Sequence, residues 1–342
     1  MTKIVPATPP TNILIIKPSS IGDVVHTLPV WKLLRQHWPH ARISWLIAPA
    51  CAGMVQGLPD LQTIRFDRKR WGQAWHNPAA AGELLRFQRS LRDQHFDLVL
   101  DFQGLFRSGW FAWQTAAATR VGFANAREFA WLFYTQRVPV PTMEQHSVDR
   151  YLKLLEAVGC PTAPVEFEFP VTDADRQKAD QLLCNVGRFA ILCPGANWLT
   201  KRWPVQRFAE LVKPIKDRFG LQTIVAGGPG DRELGEQIPG TLNLCGQTTL
   251  MQLVASMQRA SLVITNDSGP MHIAAALNRP LVAIFGPTNP VRTGPFGHPN
   301  CVIRANIHCS PCYSRKCPHQ RCLQELPIDR ILQSAQRQLS AL

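Results

Sequence analysis

The residues best equipped for chemistry lie between Ile264 and Pro290, in ITNDSGPMHIAAALNRPLVAIFGPTNP. An apolar strand ends near Ile264, and Asn266-Asp267-Ser268-Gly269 turns the chain into an Ala-rich helix over Met271–Leu277. Pro270 stands first in that helix, where its missing N–H costs nothing. A strand, a Gly turn and a helix start aim backbone N–H groups and a positive dipole end at one point, an anion site suited to phosphate or pyrophosphate. An ordinary βα turn capped by Asp267 fits the same residues. Four further polar turns follow apolar strands: Ser19–Asp23, Gln103-Gly104, Ala196–Trp203 and Gly227–Asp231. Asp23 opens a helix, where the dipole favours an ionised carboxylate and where a capping acid is equally at home. Near the end, Cys309-x2-Cys312-x4-Cys317-x4-Cys322, with His308 and His319, has the composition of a zinc or iron site; four plain thiols on a surface hairpin fit as well.

The elements that must position these turns alternate. Asn12–Ile16 reads as a buried strand, Val24–Gln36 as a helix, Ile43–Ile47 and Leu61–Arg65 as strands, Leu84–Gln94 as an amphipathic helix and Phe96–Asp101 as a strand. Phe102–Gly122 reads as a turn and a helix, and Ser147–Val158 as a further helix. A Pro-rich extended stretch to Val171 reads as a linker. The pattern resumes with a helix from Asp173, a strand Phe189–Cys193, a helix Val205–Phe219, a strand Gln222–Ala226 and a strand Leu281–Phe285, and it closes with an amphipathic helix over Pro327–Leu342. Such alternation argues for α/β architecture with parallel sheets, doubly wound in both halves, and ligands of such sheets bind beyond the carboxyl ends of the strands.

A chain of 342 residues suits two domains. At 45% hydrophobic and 18% charged residues it is a globular protein, not a disordered one. No apolar run approaches the roughly 18 residues of a membrane helix, and the N-terminal segment lacks a signal-peptide pattern, so a cytoplasmic location is expected. The net charge of +13 suits an acidic partner: phosphate groups, nucleic acid or an anionic membrane face. A basic, metal-clipped nucleic-acid-binding protein is one such reading, but the basic residues are dispersed and no nucleic-acid motif is present.

Several motifs in order then carry a resemblance: Lys17-Pro-Ser-Ser-Ile-Gly-Asp23-Val-Val-His26-Thr-Leu-Pro29, Asp101-Phe-Gln-Gly-Leu105, Ala126-Arg-Glu128, Leu132-Phe-Tyr134, Lys201-Arg-Trp-Pro204 and Asp267-Ser-Gly269 with His272. Over nearly its whole length the chain resembles the ADP-heptose lipopolysaccharide heptosyltransferases of glycosyltransferase family 9. It is most similar to the type I enzymes that add the first heptose to Kdo, while its Cys-rich tail resembles type II. The resemblance implies a GT-B fold, two doubly wound Rossmann-like domains facing across a cleft. Residues 1–170 would bind the acceptor and supply the base, residues 171–326 would bind the nucleotide sugar, and helix 327–342 would pack back on the first domain.

The implied reaction is inverting transfer of heptose from ADP-heptose to the Kdo/inner-core region of lipid A, by a monomer working at the cytoplasmic face of the inner membrane, with no nucleic acid involved. A family 9 transferase that uses another nucleotide sugar or acceptor is the same-fold alternative. Asp23 matches the catalytic aspartate that takes the acceptor proton. Lys201 matches the phosphate-binding lysine that meets the departing ADP. Ser19, Ser20, Gly22, Ala196, Asn197, Asp231, Thr248, Asp267, Ser268, Gly269 and His272 fall at donor-binding positions, Asp231 toward the ribose diol. Ala196-Asn197 departs from a Thr pair of the type I enzymes. Of the basic acceptor patch, Lys69 and Arg70 remain beside Arg68, while Gly72 and Gln73 replace two basic positions. Gln103 and Arg127 are the other acceptor candidates, with Arg107 near them. The one Asp-x-Asp, Asp173-Ala-Asp175, follows Thr172 as in a capping box, so the transfer is read as independent of metal.

Overall fold

The computed structural model describes residues 8–140, 142 and 144–341. Its contacts divide the chain into two compact units, Met1–Pro170 and Val171–Leu342. In the first, β1 (Asn12–Ile16), β2 (Arg42–Ile47), β3 (Leu61–Arg65), β4 (Leu98–Asp101), β5 (Thr119–Phe123) and β6 (Gln136–Val138) form a parallel sheet in the order β3-β2-β1-β4-β5-β6. The helices are α1 (Ile21–His37), α2 (Arg68–Trp71), α3 (Pro78–Asp93), α4 (Phe106–Gln114) and α5 (Ser147–Ala157). Helix α1 meets α5 and the turn Pro49–Met54 on one side; α2, α3, α4 and the turn Ala130–Phe133 meet in series on the other. Strand β1 is an unbroken apolar run because both of its faces are covered, as central parallel strands require.

The second unit repeats the architecture. Strands β7 (Phe189–Cys193), β8 (Gln222–Val225), β9 (Leu242–Asn243), β10 (Leu262–Asn266), β11 (Leu281–Phe285) and β12 (Val302–Arg304) pair in the order β12-β11-β10-β7-β8-β9, all parallel. Helices α6 (Asp173–Leu182), α7 (Val205–Phe219), α8 (Arg232–Glu236), α9 (Leu250–Arg259), α10 (Gly269–Ala276), α11 (Pro290–Thr293), α12 (Arg321–Gln324) and α13 (Ile328–Ser340) complete it.

Two features differ from the sequence reading. The stretch to Gly122 contains β5 as well as a helix, and β6, β9 and β12 are further short strands not anticipated. Gly122 weakens the strand signal of β5 for a packing reason: a Cβ there would lie 2.3 Å from the Tyr134 ring. Helix α13 buries Ile331, Leu332 and Ala335 in the core of its own unit, against α7 and β11. The Arg68-Lys69-Arg70 run is a short helix, α2, capped by Asp67.

Candidate active site

In each sheet the winding reverses at the centre, between β1 and β4 in the first and between β7 and β10 in the second. The carboxyl ends of such neighbours splay their loops apart, and that is where ligands of doubly wound sheets bind. Each sheet gathers its singular polar residues at this edge.

In the first unit the β1–α1 turn holds Lys17 and Asp23. Asp23 Oδ2 accepts from the Ser20 backbone N–H at 3.0 Å and from Ser20 Oγ at 2.9 Å, a cap for α1. Its Oδ1 accepts from the Tyr151 hydroxyl at 3.2 Å and lies 3.4 Å from Lys17 Nζ. Capping therefore does not exclude a chemical role; it fixes one oxygen and orients the other. The carboxylate keeps 35% side-chain exposure while Lys17 is buried and anchored to the Phe102 carbonyl at 3.1 Å. Burial pulls the Lys17 pKa down, but Asp23 and Tyr151 act against it and the net direction is upward. Burial pushes the Tyr151 phenol up to about 12, so both neighbours hold their protons and Asp23 faces a cation and a donor. Opposite charge and donated hydrogen bonds favour the ionised form of an acid, the state a general base needs. Gly22 is buried beneath this turn, and Ser19 and Ser20 are exposed.

In the second unit Lys201 Nζ lies 2.6 Å from Asp267 Oδ2, which also accepts from Thr288 Oγ1 at 2.5 Å. Asp267 is almost completely buried, and Lys201 also stands over the Trp198 ring, 4.8 Å from its centroid. Ser268, in extended conformation, is the N-cap residue of α10, so Gly269, Pro270 and the buried His272 form the first turn beside this ion pair. Lysine, indole and helix start together make a cationic corner. Asp231 Oδ2 accepts from the Gly228 N–H at 3.0 Å, and Oδ1 lies 3.9 Å from Arg202. Gly195 is needed for this approach, since a Cβ there would come within 2.4 Å of the Asp231 carboxylate. Arg202 in turn donates to the Ala196 carbonyl at 2.8 Å. Asn197 is exposed, and Thr248 is half-buried in the turn before α9.

Two contributors escaped the sequence reading. Asn266 is fully buried; its Oδ1 accepts from the Trp203 N–H at 3.1 Å and its Nδ2 donates to the Pro194 carbonyl at 2.7 Å. It ties the loops after β7 and β10 together. Arg315, from the Cys-rich segment, places its guanidinium 4.5 Å from the Trp198 ring, and Thr200 Oγ1 donates to the Ser314 carbonyl at 2.8 Å. That segment thus lies against the Lys201 loop. The motif Trp198-Leu-Thr-Lys201 was the available signal, an aromatic within one turn of a lysine.

The acceptor candidates divide. Gln103 sits at the end of β4, its N–H held 2.8 Å from Asp101 Oδ1, and its buried Oε1 has no hydrogen-bond partner among the described residues. Asp101 itself is structural: burial raises its pKa, and Tyr134, Gln103 and Gly104 donate to it. Arg127 is exposed, its N–H on the Gly104 carbonyl at 3.0 Å. Arg70 is not the open cation expected, because Glu83 on α3 takes it in a two-point pair at 2.9 and 2.7 Å. Lys69 remains exposed or nearly so on α2, and Arg68 and Arg107 line a cavity described below.

No group of three or more His, Cys, Asp or Glu among the described residues is arranged to hold a metal ion. For Cys309, Cys312, Cys317 and Cys322, where a zinc or iron site and plain thiols were both open readings, Cys322 turns into the core beside Leu323 and Leu326 while Cys309 and Cys312 are exposed. Burial, then the nearby Cys312, Cys309 and Cys317, raise the Cys322 pKa, so the four sulfurs lie in one neighbourhood. Asp175 caps α6 through Thr172, with Oδ2 3.1 Å from the Thr172 N–H, and Asp173 pairs with Arg176 at 2.9 Å.

Residues 84–323 match the model of glycosyltransferase family 9 (heptosyltransferase). Lipopolysaccharide heptosyltransferase 2 of Escherichia coli K12 is 30% identical over 316 residues, 86% of this chain and 88% of that one. The lipopolysaccharide core heptosyltransferase OpsX of Haemophilus influenzae is 27% identical over 303 residues, 86% of this chain and 84% of its own length. The solved structure of the E. coli heptosyltransferase WaaC with ADP superposes with a TM-score of 0.77 at 25% identity, covering 96% of this chain and 99% of that one. Both sheets, their turns and these likenesses agree, and the chain belongs to glycosyltransferase family 9, the heptosyltransferases.

Proposed function

We propose that this protein transfers heptose from ADP-heptose to the Kdo/inner-core region of lipid A in lipopolysaccharide core synthesis, with inversion, without a metal ion, and at the cytoplasmic face of a membrane. The observation that carries the reading is the ion pair of Lys201 and Asp267 at the start of α10, a cation held beside a helix N-terminus. The relatives named for lipopolysaccharide support the pathway, and WaaC with ADP supports the nucleotide.

In this mechanism the acceptor hydroxyl attacks the anomeric carbon and gives its proton to Asp23, while the bond from that carbon to the ADP oxygen breaks. The electron pair leaves with the diphosphate, whose charge Lys201 and the N–H groups of α10 receive. Arg315 adds a second cation near Trp198. Asp231 is offered to the ribose diol, with Ala196, Asn197 and Thr248 around the nucleotide. Ser19, Ser20 and Gly22 belong to the turn that carries the base. Gln103, through its unpaired Oε1, accepts from an acceptor hydroxyl, and Lys69 and Arg127 receive its anionic groups. Arg70 serves this side through α2, which its pair with Glu83 fastens to α3.

The test measures ADP release from ADP-heptose with Kdo-lipid A or with an already heptosylated acceptor, before and after exhaustive dialysis against EDTA. Release with the Kdo acceptor, unchanged by EDTA, is expected. Preference for the heptosylated acceptor would move the enzyme to a later step, and activity restored only by added Mg²⁺ or Mn²⁺ would refute metal independence.

A further inference from the structure

The two sides of the first unit's sheet are covered unequally. Helix α1 buries eleven of its residues, Gly22, Val24, Val25, His26, Thr27, Leu28, Pro29, Val30, Trp31, Leu33 and Leu34. Helix α3, nearly as long, buries only Ala80 and Leu91. Among the described residues of this unit, the large apolar side chains left exposed are Trp75 (85%), Leu85, Phe106, Trp113, Phe129 (67%) and Leu132. Every one belongs to the α2–α4 side or to the turn that packs on α4; the α1–α5 side has none. Phe106 and Trp113 are joined through two half-buried rings, Trp110 with Trp113 at 4.9 Å and Phe133 with Phe106 at 5.3 Å and with Trp110 at 5.9 Å. Phe129 and Leu132 flank them on the turn that packs on α4. Single exposed apolar residues are ordinary, but a connected patch marks an interaction surface.

The chemistry around the patch selects its partner. A cavity of about 130 Å³ opens there, walled by Trp71, Leu84, Trp110 and Phe111, with Arg68 and Arg107 among its lining residues. Burial lowers the pKa of Arg107 and Arg68 acts in the same direction, while Glu128 opposes them. Arg86, Arg89 and Arg92 are exposed along α3, where Glu83 is engaged by Arg70. The carboxylates of this face, Asp67, Glu83, Asp93 and Glu128, are fewer than its arginines, and apolar rings among surplus cations complement a surface that is apolar below and anionic above. That is the signature of residues lying in a bilayer interface.

We infer that the face built by α2, α3, α4 and the turn Ala130–Phe133 docks onto an anionic lipid bilayer, with Phe106, Trp113, Phe129 and Leu132 entering the headgroup boundary and the arginines meeting lipid phosphates. The inference rests on the membrane-borne acceptor of the proposed function, and it names the surface that brings the enzyme to it. The base-bearing turn and Arg68, Phe106 and Arg107 all follow carboxyl ends of strands in this one sheet, so docking would present that edge to a headgroup sugar.

Vesicles without any acceptor separate this inference from the transferase reading. The full chain is sedimented with vesicles of phosphatidylglycerol and phosphatidylethanolamine, and with phosphatidylcholine alone, beside the triple variant Trp113→Ser, Phe129→Ser, Leu132→Ser. Anionic vesicles should bind the wild type, with affinity falling as salt rises, since each Arg near such a surface contributes roughly fivefold. Phosphatidylcholine should bind it weakly. The triple variant should lose at least tenfold in partition while melting temperature and ADP binding stay unchanged. Failure of the wild type to bind anionic vesicles, or equal binding by a folded triple variant, overturns the inference. So does a wild-type dimer that the triple substitution converts to monomer, because a second copy would then cover the patch. An active transferase that ignores vesicles would sink the docking face alone; a vesicle-bound protein inactive on every acceptor would sink the transferase reading alone.

Discussion

Asp23→Asn is expected to lower kcat by roughly 10²- to 10⁴-fold, the usual yield of a positioned general base, with ADP binding unchanged. The amide can still accept from Ser20, as Asp23 Oδ2 does at 3.0 and 2.9 Å, so α1 keeps its cap. It cannot take a proton, and it brings an N–H toward Lys17 and Tyr151, which are donors. Because the base acts only in the transition state, kcat and kcat/KM should fall together. Retention of more than about a tenth of kcat would remove Asp23 from the chemistry.

The second large effect belongs to Lys201→Ala, in two separable parts. Loss of the charge awaiting the diphosphate should lower kcat by roughly 10²- to 10³-fold, as for other prepositioned transition-state donors. Loss of the partner also strands the buried Asp267, whose Oδ2 then keeps the neutral Thr288 Oγ1 but no cation among the described residues. Breaking a buried pair from one side costs about 3–5 kcal/mol, so melting temperature should fall as well. Adding Asp267→Asn to Lys201→Ala should restore much of the melting temperature and none of the activity. Recovery of both would make the pair purely structural; loss of neither in the single variant would deny it any role.

Much of this framework was legible in the chain. Strands β1, β3, β7 and β11 and helix α7 were readable to the residue, because apolar runs, β-favouring residues or 3.6-residue periodicity ended at turn residues. Strands β5, β6, β9 and β12 were not. β6, β9 and β12 have three residues or fewer, and β5 carries Gly122, present for the Tyr134 ring and invisible as such in a one-dimensional pattern. Site turns were visible because each follows a strand, but their partners were not: Tyr151 meets Asp23 from 128 positions away. Arg70 read as an open cation because nothing in a charge run announces that Glu83, thirteen positions on in another helix, closes on it. The cysteine spacing left metal ligands and plain thiols equally open, and it did not foretell that Cys322 is buried while Cys309 and Cys312 are exposed.

The account turns on a single displacement in which the acceptor oxygen attacks as Asp23 takes its proton, and the anomeric configuration of the product tests that most directly. Proton NMR of the heptosylated acceptor, made from ADP-heptose of known configuration, should show the new linkage opposite to that of the donor. A product with the donor's configuration would require a covalent intermediate and two displacements, and would contradict the role assigned to Asp23.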